Sequence, residues 1–287
     1  MEFSRRKRKG KDIEENPLFE QPDVSENLKA IKHKIAVISG KGGVGKSTVS
    51  ANLAAALSQK DGVRVGLLDA DIDGPNIPKL LGIENHQIFT VGGKIAPAPV
   101  AENLKVISMA FLLRDKDIPV IWRGPMKANA IRQFLGDVNW GALDYLIVDL
   151  PPGTGDAPLS IAQLIEGMDG MIVVTTPQEV ALMDSRKAIN FAKALNVPVI
   201  GVIENMSGMK CPHCGKEIDL FKTGGGERAA LQLGVPFLGR VPFDPKIAEV
   251  AAFGITFVRK YPSSEAAEAF TQIVAEVVEF VGEGAST

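Results

Sequence analysis

The sequence predicts an α/β protein built on a doubly wound, mainly parallel sheet with helices on both faces. Short apolar runs recur along the chain, helical stretches separate them, and a glycine-rich turn joins the first run to the first helix. The runs occupy residues 35–38, 65–68, 145–148, 171–174 and 199–203. Continuous apolar runs indicate strands buried on both faces, and helices between them indicate parallel crossovers. Ligands of such sheets bind beyond the carboxyl ends of the strands, where these runs deliver polar residues.

Length and composition are those of a globular protein. The 287 residues are 45% hydrophobic and 23% charged, so a large core is available and extended disorder is excluded. The formal net charge of −2 makes a nucleic-acid partner unexpected. No run approaches the ~20 apolar residues of a membrane span, and acids and prolines follow the basic opening at 5–9, which excludes a secretory signal. We therefore expect a cytoplasmic protein without a membrane partner.

Two regions are expected along the chain. Residues 1–30 combine a basic cluster with an acidic, proline-containing stretch and lack hydrophobic periodicity, so we predict a flexible charged tail. Residues 31–287 carry the apolar runs and are predicted to form a single domain. Its last part has apolar residues at helical spacing between positions 270 and 281, which predicts a helix packed on the sheet.

The glycine-rich turn at residues 40–48 reads GKGGVGKST and satisfies the phosphate-loop pattern G-x-x-x-x-G-K-[ST]. It lies between a predicted strand and a predicted helix at 47–57, the context that this pattern requires. Free backbone N–H groups would surround phosphate oxygens, Lys46 would meet the β and γ phosphates, and Ser47 would bind Mg²⁺. The context disfavours the alternative, a glycine-rich turn without a ligand. The expected nucleotide contacts are Gly40, Gly42, Gly43, Val44, Gly45, Lys46, Ser47 and Thr48.

Acidic residues follow two of the apolar runs. Asp69, Asp71 and Asp73 come after the second run, where three carboxylates repel one another unless a cation or a positioned water uses them. We interpret Asp73 as part of a solvated turn. Asp149 directly follows the run at 145–148 in a Walker B pattern and is expected to hold magnesium through water. Because many strands end in aspartate, this pattern is a weak indication by itself. It becomes persuasive together with the phosphate loop.

The two cysteines of the chain, Cys211 and Cys214, form a C-x-x-C knuckle. Two thiolates at this spacing can hold one metal centre from the same side, and a four-cysteine site then needs a second copy of the protein. We interpret His213, inside the knuckle, as a bystander. A redox pair is disfavoured because no helix start is evident at the knuckle, whereas a zinc ion or a [4Fe–4S] cluster shared by two subunits fits equally well.

The phosphate loop resembles the deviant Walker A loop of the ParA/MinD superfamily, because Lys41 follows its first glycine, where an ordinary phosphate loop requires no lysine. The resemblance implies a MinD-like P-loop ATPase domain at 31–287 and a homodimer in which Lys41 reaches the nucleotide of the partner subunit. By similarity, Asp71 positions the attacking water and Asp69 supports the Mg²⁺ region. Lys41, Lys46 and Asp71 are therefore the expected catalytic residues.

Residues late in the chain are expected to select the base of the nucleotide. Asn205 follows the last predicted strand, and its side-chain amide matches the adenine edge in donor and acceptor. An asparagine at a strand end is often only a cap, but the superfamily resemblance places the adenine contact here. The segment 241–245, which includes Pro242, could form one wall of the base pocket. ATP with Mg²⁺ is therefore the expected ligand.

Further motifs are shared with one branch of that superfamily. They are WRGPM at 122–126, PPGT at 151–154, ENMS at 204–207 and CPHC at 211–214, and the match runs from about residue 34 to 261. Together they resemble the Mrp/ApbC branch, the cytosolic iron–sulfur cluster carriers and scaffolds. The resemblance implies a [4Fe–4S] cluster held between the cysteine pairs of a homodimer and handed to apoproteins, with ATP binding or hydrolysis required.

Two rival functions are weighed against a cluster carrier. A positioning ATPase of the ParA/MinD kind, with a structural zinc at its dimer interface, is the main alternative. Its membrane-binding variant needs a basic amphipathic C-terminal helix, whereas residues 261–287 contain five glutamates and no lysine or arginine. A reductase like the nitrogenase iron protein has cysteines well apart in sequence, unlike this pair. An ATP-hydrolysing cluster carrier is therefore the leading expectation.

Overall fold

The structure is a computed structural model that describes residues 22–112, 124–211, 213–218 and 223–284. Its strands are β1 (Ile31–Ile38), β2 (Val65–Asp69), β3 (Thr90–Val91), β4 (Lys94–Ile95), β5 (Ala98–Ala101), β6 (Leu104–Ser108), β7 (Leu143–Asp149), β8 (Gly170–Thr175), β9 (Val199–Asn205), β10 (Met209–Lys210), β11 (Glu217–Ile218) and β12 (Phe237–Val241). Its helices are α1 (Val24–Leu28), α2 (Lys46–Ser58), α3 (Ile77–Leu80), α4 (Gly124–Gly136), α5 (Asp156–Leu164), α6 (Glu179–Ala194), α7 (Gly225–Leu233), α8 (Pro245–Ala252), α9 (Phe257–Lys260) and α10 (Glu265–Gly284).

The central sheet has eight strands within the described residues, in the order β12-β9-β8-β1-β7-β2-β6-β5. Neighbouring strands are parallel except for β5 and β6. The chain leaves β1 toward β2 and β6 on one side, returns through β7, and continues to β8, β9 and β12 on the other side. The carboxyl end of β1 therefore lies at a topological switch point, where open α/β sheets bind their ligands.

The core explains why the strands read as continuous apolar runs. Successive residues of β1 alternate between two apolar clusters, one on each face of the sheet. Ile35 and Val37 join the cluster formed with α2 and α10, whereas Ala36 and Ile38 join the cluster formed with α4, α5 and α6. All four side chains are fully buried. This arrangement confirms the predicted doubly wound sheet with helices on both faces.

All five predicted strands are present, as parts of β1, β2, β7, β8 and β9. Strands β5, β6 and β12 of the central sheet are additional to the prediction, and β5 has only 4 residues. Lys105 interrupts the apolar run of β6, and Gly239 and Arg240 interrupt that of β12. Because β12 is an edge strand and β6 is covered only by the short β5, neither must be apolar throughout. A search for continuous apolar runs therefore misses both.

The N-terminal boundary of the fold lies earlier than residue 30, which corrects the predicted extent of the tail. Residues 1–21 lie outside the described residues, but α1 packs against α4 before β1 begins. Asp23 caps α1 by accepting the Glu26 N–H at 2.9 Å. Val24 and Leu28 lie one helical turn apart and are both buried. A single turn of helix is too short to show hydrophobic periodicity, so composition alone assigned it to the tail.

The long helix α10 includes the predicted apolar spacing at 270–281. Phe270, Ile273 and Val277 are buried on its sheet-facing side, and α10 packs against β12 and α2. Among the described residues, no helix is both long enough and apolar enough to span a bilayer.

Candidate nucleotide and cysteine sites

The phosphate loop connects β1 to α2 at the switch point. Gly43 and Gly45 have φ values of 82° and 79°, in the left-handed region that favours glycine. A Cβ on Gly45 would lie 2.3 Å from Asn205 Nδ2, so space as well as conformation requires glycine there. A Cβ on Gly40 would lie 2.0 Å from the backbone oxygen of Asp184, because α6 packs directly on the loop. Close packing against Asp184 on one side and Asn205 on the other therefore fixes the position of the loop.

A cavity of about 560 Å³ opens above the phosphate loop, and its size suits a nucleotide. Its lining includes Gly42, Gly43, Val44, Gly45, Lys46, Ser47, Thr48, Asp71, Asn205 and Pro242, all of which the sequence predicts. Of the remaining predicted residues, Gly40, Lys41, Asp69 and Asp149 lie outside this lining. The structure therefore brings the phosphate, water-positioning and base contacts of the prediction to one cavity.

Asp149 is fully buried at the end of β7, and three side chains from α2 converge on it. Lys46 Nζ lies 2.8 Å from Oδ2, and the Ser47 hydroxyl donates to the same oxygen at 2.6 Å. The Ser50 hydroxyl donates to Oδ1, also at 2.6 Å. The Lys46 contact is a charge pair without hydrogen-bond geometry, so its buried ammonium keeps its donors for another acceptor. A phosphate oxygen is the acceptor that this position suits.

Asp69 ends β2 and pairs in register with Asp149 of the neighbouring β7. It is fully buried and accepts hydrogen bonds from the Ser108 hydroxyl at 2.8 Å and the Ile77 N–H at 3.2 Å. Burial, followed by the nearby charge of Asp149, raises the pKa of Asp69 to about 8. These causes favour the neutral form of Asp69 at neutral pH. A divalent cation beside the pair would favour its ionised form.

The other two acids after β2 occupy different environments. Asp71 is 9% exposed, lines the cavity, and accepts the Gly74 N–H at 3.2 Å. Burial raises the pKa of Asp71 above its usual range. The Asp73 side chain is 76% exposed and pairs with Lys127 at 2.5 Å, which agrees with its interpretation as a solvated turn residue. Of the two, Asp71 is therefore the one placed to reach a molecule in the cavity.

Asn205 lines the cavity and also braces the phosphate loop. Its Nδ2 donates to the Val44 carbonyl at 2.9 Å, and the side chain lies against Gly45. Pro242 reaches the same cavity from the segment after β12, with Phe243 and Asp244 beside it. The predicted base contacts therefore share one wall, but one of them also holds the phosphate loop.

Sequence reasoning missed several residues of this site. Ser50 lies one helical turn after Lys46 on the same side of α2, a spacing that could have indicated its contact with Asp149. No comparable local signal marks the rest, which reach the site through long-range packing. They include Ser108 beside Asp69, and the cavity-lining residues Asn76, Lys79, Leu80, Met206, Ile247 and Phe270.

Lys41 is half-exposed at the mouth of the phosphate loop, where its carbonyl accepts the Ser39 hydroxyl at 2.8 Å. Its position outside the lining of its own cavity is compatible with the expectation that it serves the nucleotide of a partner subunit. The start of the WRGPM motif, residues 122 and 123, lies outside the described part of the chain.

The two cysteines lie in the loop of a short hairpin formed by β10 and β11. The Cys211 N–H donates to the Lys216 carbonyl at 2.8 Å, and the Gly215 N–H donates to the Cys211 carbonyl at 2.9 Å. Both thiols are free, with Cys211 half-buried and Cys214 exposed. Hydrogen bonds from the backbone N–H groups of His213 and Cys214 lower the pKa of the Cys211 thiol. The loop therefore favours the thiolate form of Cys211 and places the free thiol of Cys214 beside it.

Within the residues that the structure describes, no third metal ligand accompanies the cysteine pair. In the portions of the chain that the structure covers, no three His, Cys, Asp or Glu side chains are grouped so that they could hold a metal ion. Zinc and iron–sulfur centres usually need four protein ligands. A complete centre at Cys211 and Cys214 would thus require ligands from outside this set, and a second subunit offers two more thiols.

Comparisons with known proteins show the family. A model described as ParA, NUBPL iron-transfer P-loop NTPase, matches residues 30–278. The iron–sulfur cluster carrier protein of Methanocaldococcus jannaschii is 55% identical over 258 residues, which cover 90% of this chain and 88% of that protein. The iron–sulfur cluster carrier protein of Methanococcus maripaludis is 48% identical over 256 residues, which cover 89% of this chain and 88% of that protein.

Solved structures agree with the fold. A nucleotide-binding protein from Archaeoglobus fulgidus, in complex with ADP and with cobalt, has a TM-score of 0.72 at 40% identity over 82% of this chain and 91% of its own. The cell division ATPase MinD of Pyrococcus furiosus has a TM-score of 0.62 at 24% identity over 86% of this chain and 99% of its own, a likeness of fold alone. The chain therefore belongs to the NUBPL iron-transfer P-loop NTPases of the ParA family, the iron–sulfur cluster carrier branch that its motifs resemble.

Proposed function

We propose that the protein is an ATP-dependent carrier that holds a [4Fe–4S] cluster between two subunits and transfers it to apoproteins. The observation that carries this proposal is the surface hairpin with two free thiols, Cys211 and Cys214, on a chain whose glycine-rich loop also lines a cavity of nucleotide size. Two thiolates provide half of the ligands that such a cluster needs. A homodimer supplies the other half by symmetry. The reducing cytoplasm, where thiols stay free, is the proposed place of action.

The nucleotide of this proposal is ATP with Mg²⁺. Backbone N–H groups of the loop and the positive end of α2 would hold the phosphates, and Lys46 would neutralise them. Ser47 and Asp149 would hold the magnesium ion, which stabilises charge on the transferred phosphoryl group. Asp71 faces the cavity, where it would orient the attacking water. Lys41 would add its charge to the nucleotide of the partner subunit.

The relatives support both the cluster-binding part and the nucleotide-binding part of the proposal. Two proteins at 55% and 48% identity carry the name iron–sulfur cluster carrier protein. The structural relative from Archaeoglobus fulgidus binds ADP. The proposed coupling between cluster binding and the nucleotide has a geometric reason, because a cluster held by two ligands from each subunit would be strained whenever the subunits rotate relative to one another. ATP binding and hydrolysis would set that rotation and thereby the release of the cluster.

Anaerobic reconstitution with iron and sulfide tests the cluster. We expect the wild-type protein to gain cluster absorbance and about four irons per dimer. Cys211→Ala and Cys214→Ala should each lose both signals. His213→Ala, which changes an exposed side chain within the same loop, is the matched control and should retain them. A colourless wild type that contains zinc, or a monomer that keeps its full iron content, would contradict the proposal.

Transfer of the cluster to an apoprotein acceptor tests the role of the nucleotide. We expect wild-type transfer to differ with and without MgATP, and Lys46→Ala to abolish that difference. Lys60→Ala, which removes an exposed lysine beyond the far end of α2, is the matched control. Equal transfer rates for the wild type in the presence and absence of ATP would contradict the coupling of cluster transfer to the nucleotide, but would leave the proposed cluster binding standing.

A further inference from the structure

A buried carboxylate binds the chain on either side of the segment that carries the cysteines. Glu204, near the end of β9, is fully buried and accepts the Gly224 N–H at 2.9 Å. The Gly226 N–H and the Ser207 hydroxyl also donate to it. Ser207 precedes the cysteine segment, defined here as the described residues 208–211 and 213–218, and Gly224 lies beyond it in the chain. One side chain therefore anchors the chain to the central sheet on either side of this segment.

The charge of Glu204 is well compensated where it lies. Two of its donors belong to the N-terminus of α7, whose dipole favours a negative charge. Arg240 Nε approaches to 3.7 Å from the edge strand β12. A Cβ on Gly226 would lie 3.1 Å from Glu204 Cβ, so glycine allows the helix to come this close. Glu204 lies outside the lining of the nucleotide cavity, and its contacts are those of a structural brace.

The same brace adjoins the nucleotide cavity. Asn205, the next residue, donates to the Val44 carbonyl of the phosphate loop and lines the cavity with Met206. Met206 has a φ of 57°, in the left-handed region that a residue with a side chain rarely adopts. Such a conformation persists where the surroundings enforce it, and here contacts on both sides do so. The backbone conformation of Met206 therefore sets the direction of the chain between Asn205 in the cavity wall and Ser207.

A second set of hydrogen bonds also connects the start of the cysteine segment to the wall of the nucleotide cavity. The Ser207 N–H donates to the Val241 carbonyl at 3.0 Å, and the Phe243 N–H donates to the Gly208 carbonyl at 2.8 Å. Pro242 and Phe243 line the nucleotide cavity. The root of the cysteine segment is thus bonded to the cavity wall from both sides. Gly208, with a φ of 71°, is the first residue of the segment and has no side chain to restrict its backbone.

We propose that Glu204 and Ser207 are positioning residues that make the cysteine segment follow the nucleotide state of the cavity. The inference rests on the proposed carrier function and assigns the part of the chain that couples its two sites. A nucleotide that shifts Asn205 or Phe243 shifts Ser207 with them. The bond from Ser207 to Glu204 passes this shift to the chain on either side of the segment instead of letting Gly208 absorb it.

Hydrogen exchange of the described residues 208–211 and 213–218 tests this coupling without a cluster. We compare the wild type and Ser207→Ala in the presence of ADP and of a non-hydrolysable ATP analogue, each with Mg²⁺. The wild-type exchange rates should differ between the two nucleotides by about fivefold or more, a typical coupling between sites. Ser207→Ala should lose that difference while retaining wild-type nucleotide affinity and basal ATPase activity. Glu204→Gln should behave likewise, and Ser207→Thr, which keeps the hydroxyl, should restore the difference.

Ser58→Ala is the matched control, because it removes a serine hydroxyl bonded to the Ala55 carbonyl at 2.8 Å, far along α2. It should leave the nucleotide dependence unchanged. The inference is overturned if wild-type exchange in the segment ignores the nucleotide, if Ser207→Ala keeps the full difference, or if Ser207→Ala loses nucleotide binding itself. The last outcome would make Ser207 part of the binding site.

Cluster transfer separates failure of this inference from failure of the carrier function. The ratio of transfer rates with and without MgATP should fall toward one in Ser207→Ala. An unchanged ratio would overturn the coupling role and leave the carrier function standing. A wild-type protein that never binds a cluster would overturn the carrier function, and the exchange experiment would still decide the link between cavity and segment.

Discussion

The Ser47 hydroxyl donates to Asp149 across 2.6 Å and thereby fastens the first turn of α2 to the end of β7. Lys46 Nζ lies 2.8 Å from the same carboxylate oxygen. One buried carboxylate therefore orders the two side chains that the proposed MgATP chemistry needs. This pairing also makes Asp149 a structural residue, so its replacement affects stability as well as activity.

We predict that Asp149→Asn lowers both stability and ATPase activity. The substitution leaves the buried Lys46 ammonium without its counter-charge, which should cost about 3 kcal/mol in the free energy of unfolding. Hydrolysis should fall by about 100-fold or more because magnesium loses a carboxylate that holds it. Urea unfolding and a phosphate-release assay measure the two effects. Asp61→Asn, at an exposed turn, should change neither, and a variant at Asp149 with wild-type stability would refute the charge argument.

Three glycines of the phosphate loop should respond differently to alanine. Gly42→Ala should leave the unfolding free energy nearly unchanged, because its Cβ would meet nothing within 4 Å. Gly43→Ala also meets nothing, but its φ of 82° should cost about 1 kcal/mol. Gly45→Ala combines a similar φ with a Cβ 2.3 Å from Asn205 Nδ2, so about 2 kcal/mol or more is expected. Urea unfolding of the three variants gives the order, and an equal cost at all three positions would contradict it.

Asp71 and Asp73 form a matched pair for testing the water-positioning role. We expect Asp71→Asn to lower the turnover number by about 100-fold, the low end for loss of a proton-accepting group, with little change in nucleotide affinity. Asp73→Asn should retain wild-type turnover, since that side chain is 76% exposed and pairs with Lys127. Single-turnover hydrolysis and nucleotide titration separate the two parameters. Similar losses of turnover in both variants would show that hydrolysis depends on negative charge near the cavity and not on the position of the Asp71 side chain.

The parts of the site that the sequence predicted are those encoded locally. The loop at 40–48 follows one strand and precedes one helix, and Asp69 and Asp149 each end an apolar run. Their meeting follows from parallel pairing of β2 with β7, because the carboxyl ends of parallel strands share one edge of a sheet.

The brace around Glu204 was not predictable in the same way. Its partner Gly224 lies 20 residues away in sequence, and Asn205 reaches Val44 across 161 residues. Such contacts depend on how α7 and β9 pack on the sheet, which no local pattern records. The sequence marked Glu204 only as a polar residue within the ENMS motif. A fully buried carboxylate with three donors became visible once the packing was known.

Asp144 provides a test of stability against pH that lies away from the nucleotide site. Lys32 Nζ donates to its Oδ1 at 2.7 Å, and the Arg64 N–H donates to its Oδ2 at 2.8 Å. The bond from Lys32, followed by that from the Arg64 N–H, lowers the pKa of Asp144 from its usual value of 3.8 to about 2. Because the folded state holds the carboxylate in its ionised form, this stabilisation is complete above about pH 4 and is lost as the pH falls to about 2.

We predict that Asp144→Asn destabilises the protein by about 1 kcal/mol at pH 7. The lowering of the Asp144 pKa corresponds to at most about 2.5 kcal/mol of stability. The expected loss is smaller because Lys32 and Arg64 are exposed and solvent screens their charges. The difference from wild type should shrink steadily between about pH 4 and pH 2, since protonation removes the same charge from the wild-type side chain. Urea unfolding at a series of pH values measures it, with Asp61→Asn as the exposed control. If the difference in unfolding free energy between wild type and Asp144→Asn stays constant through this range, then packing at position 144, and not the charge of Asp144, accounts for it.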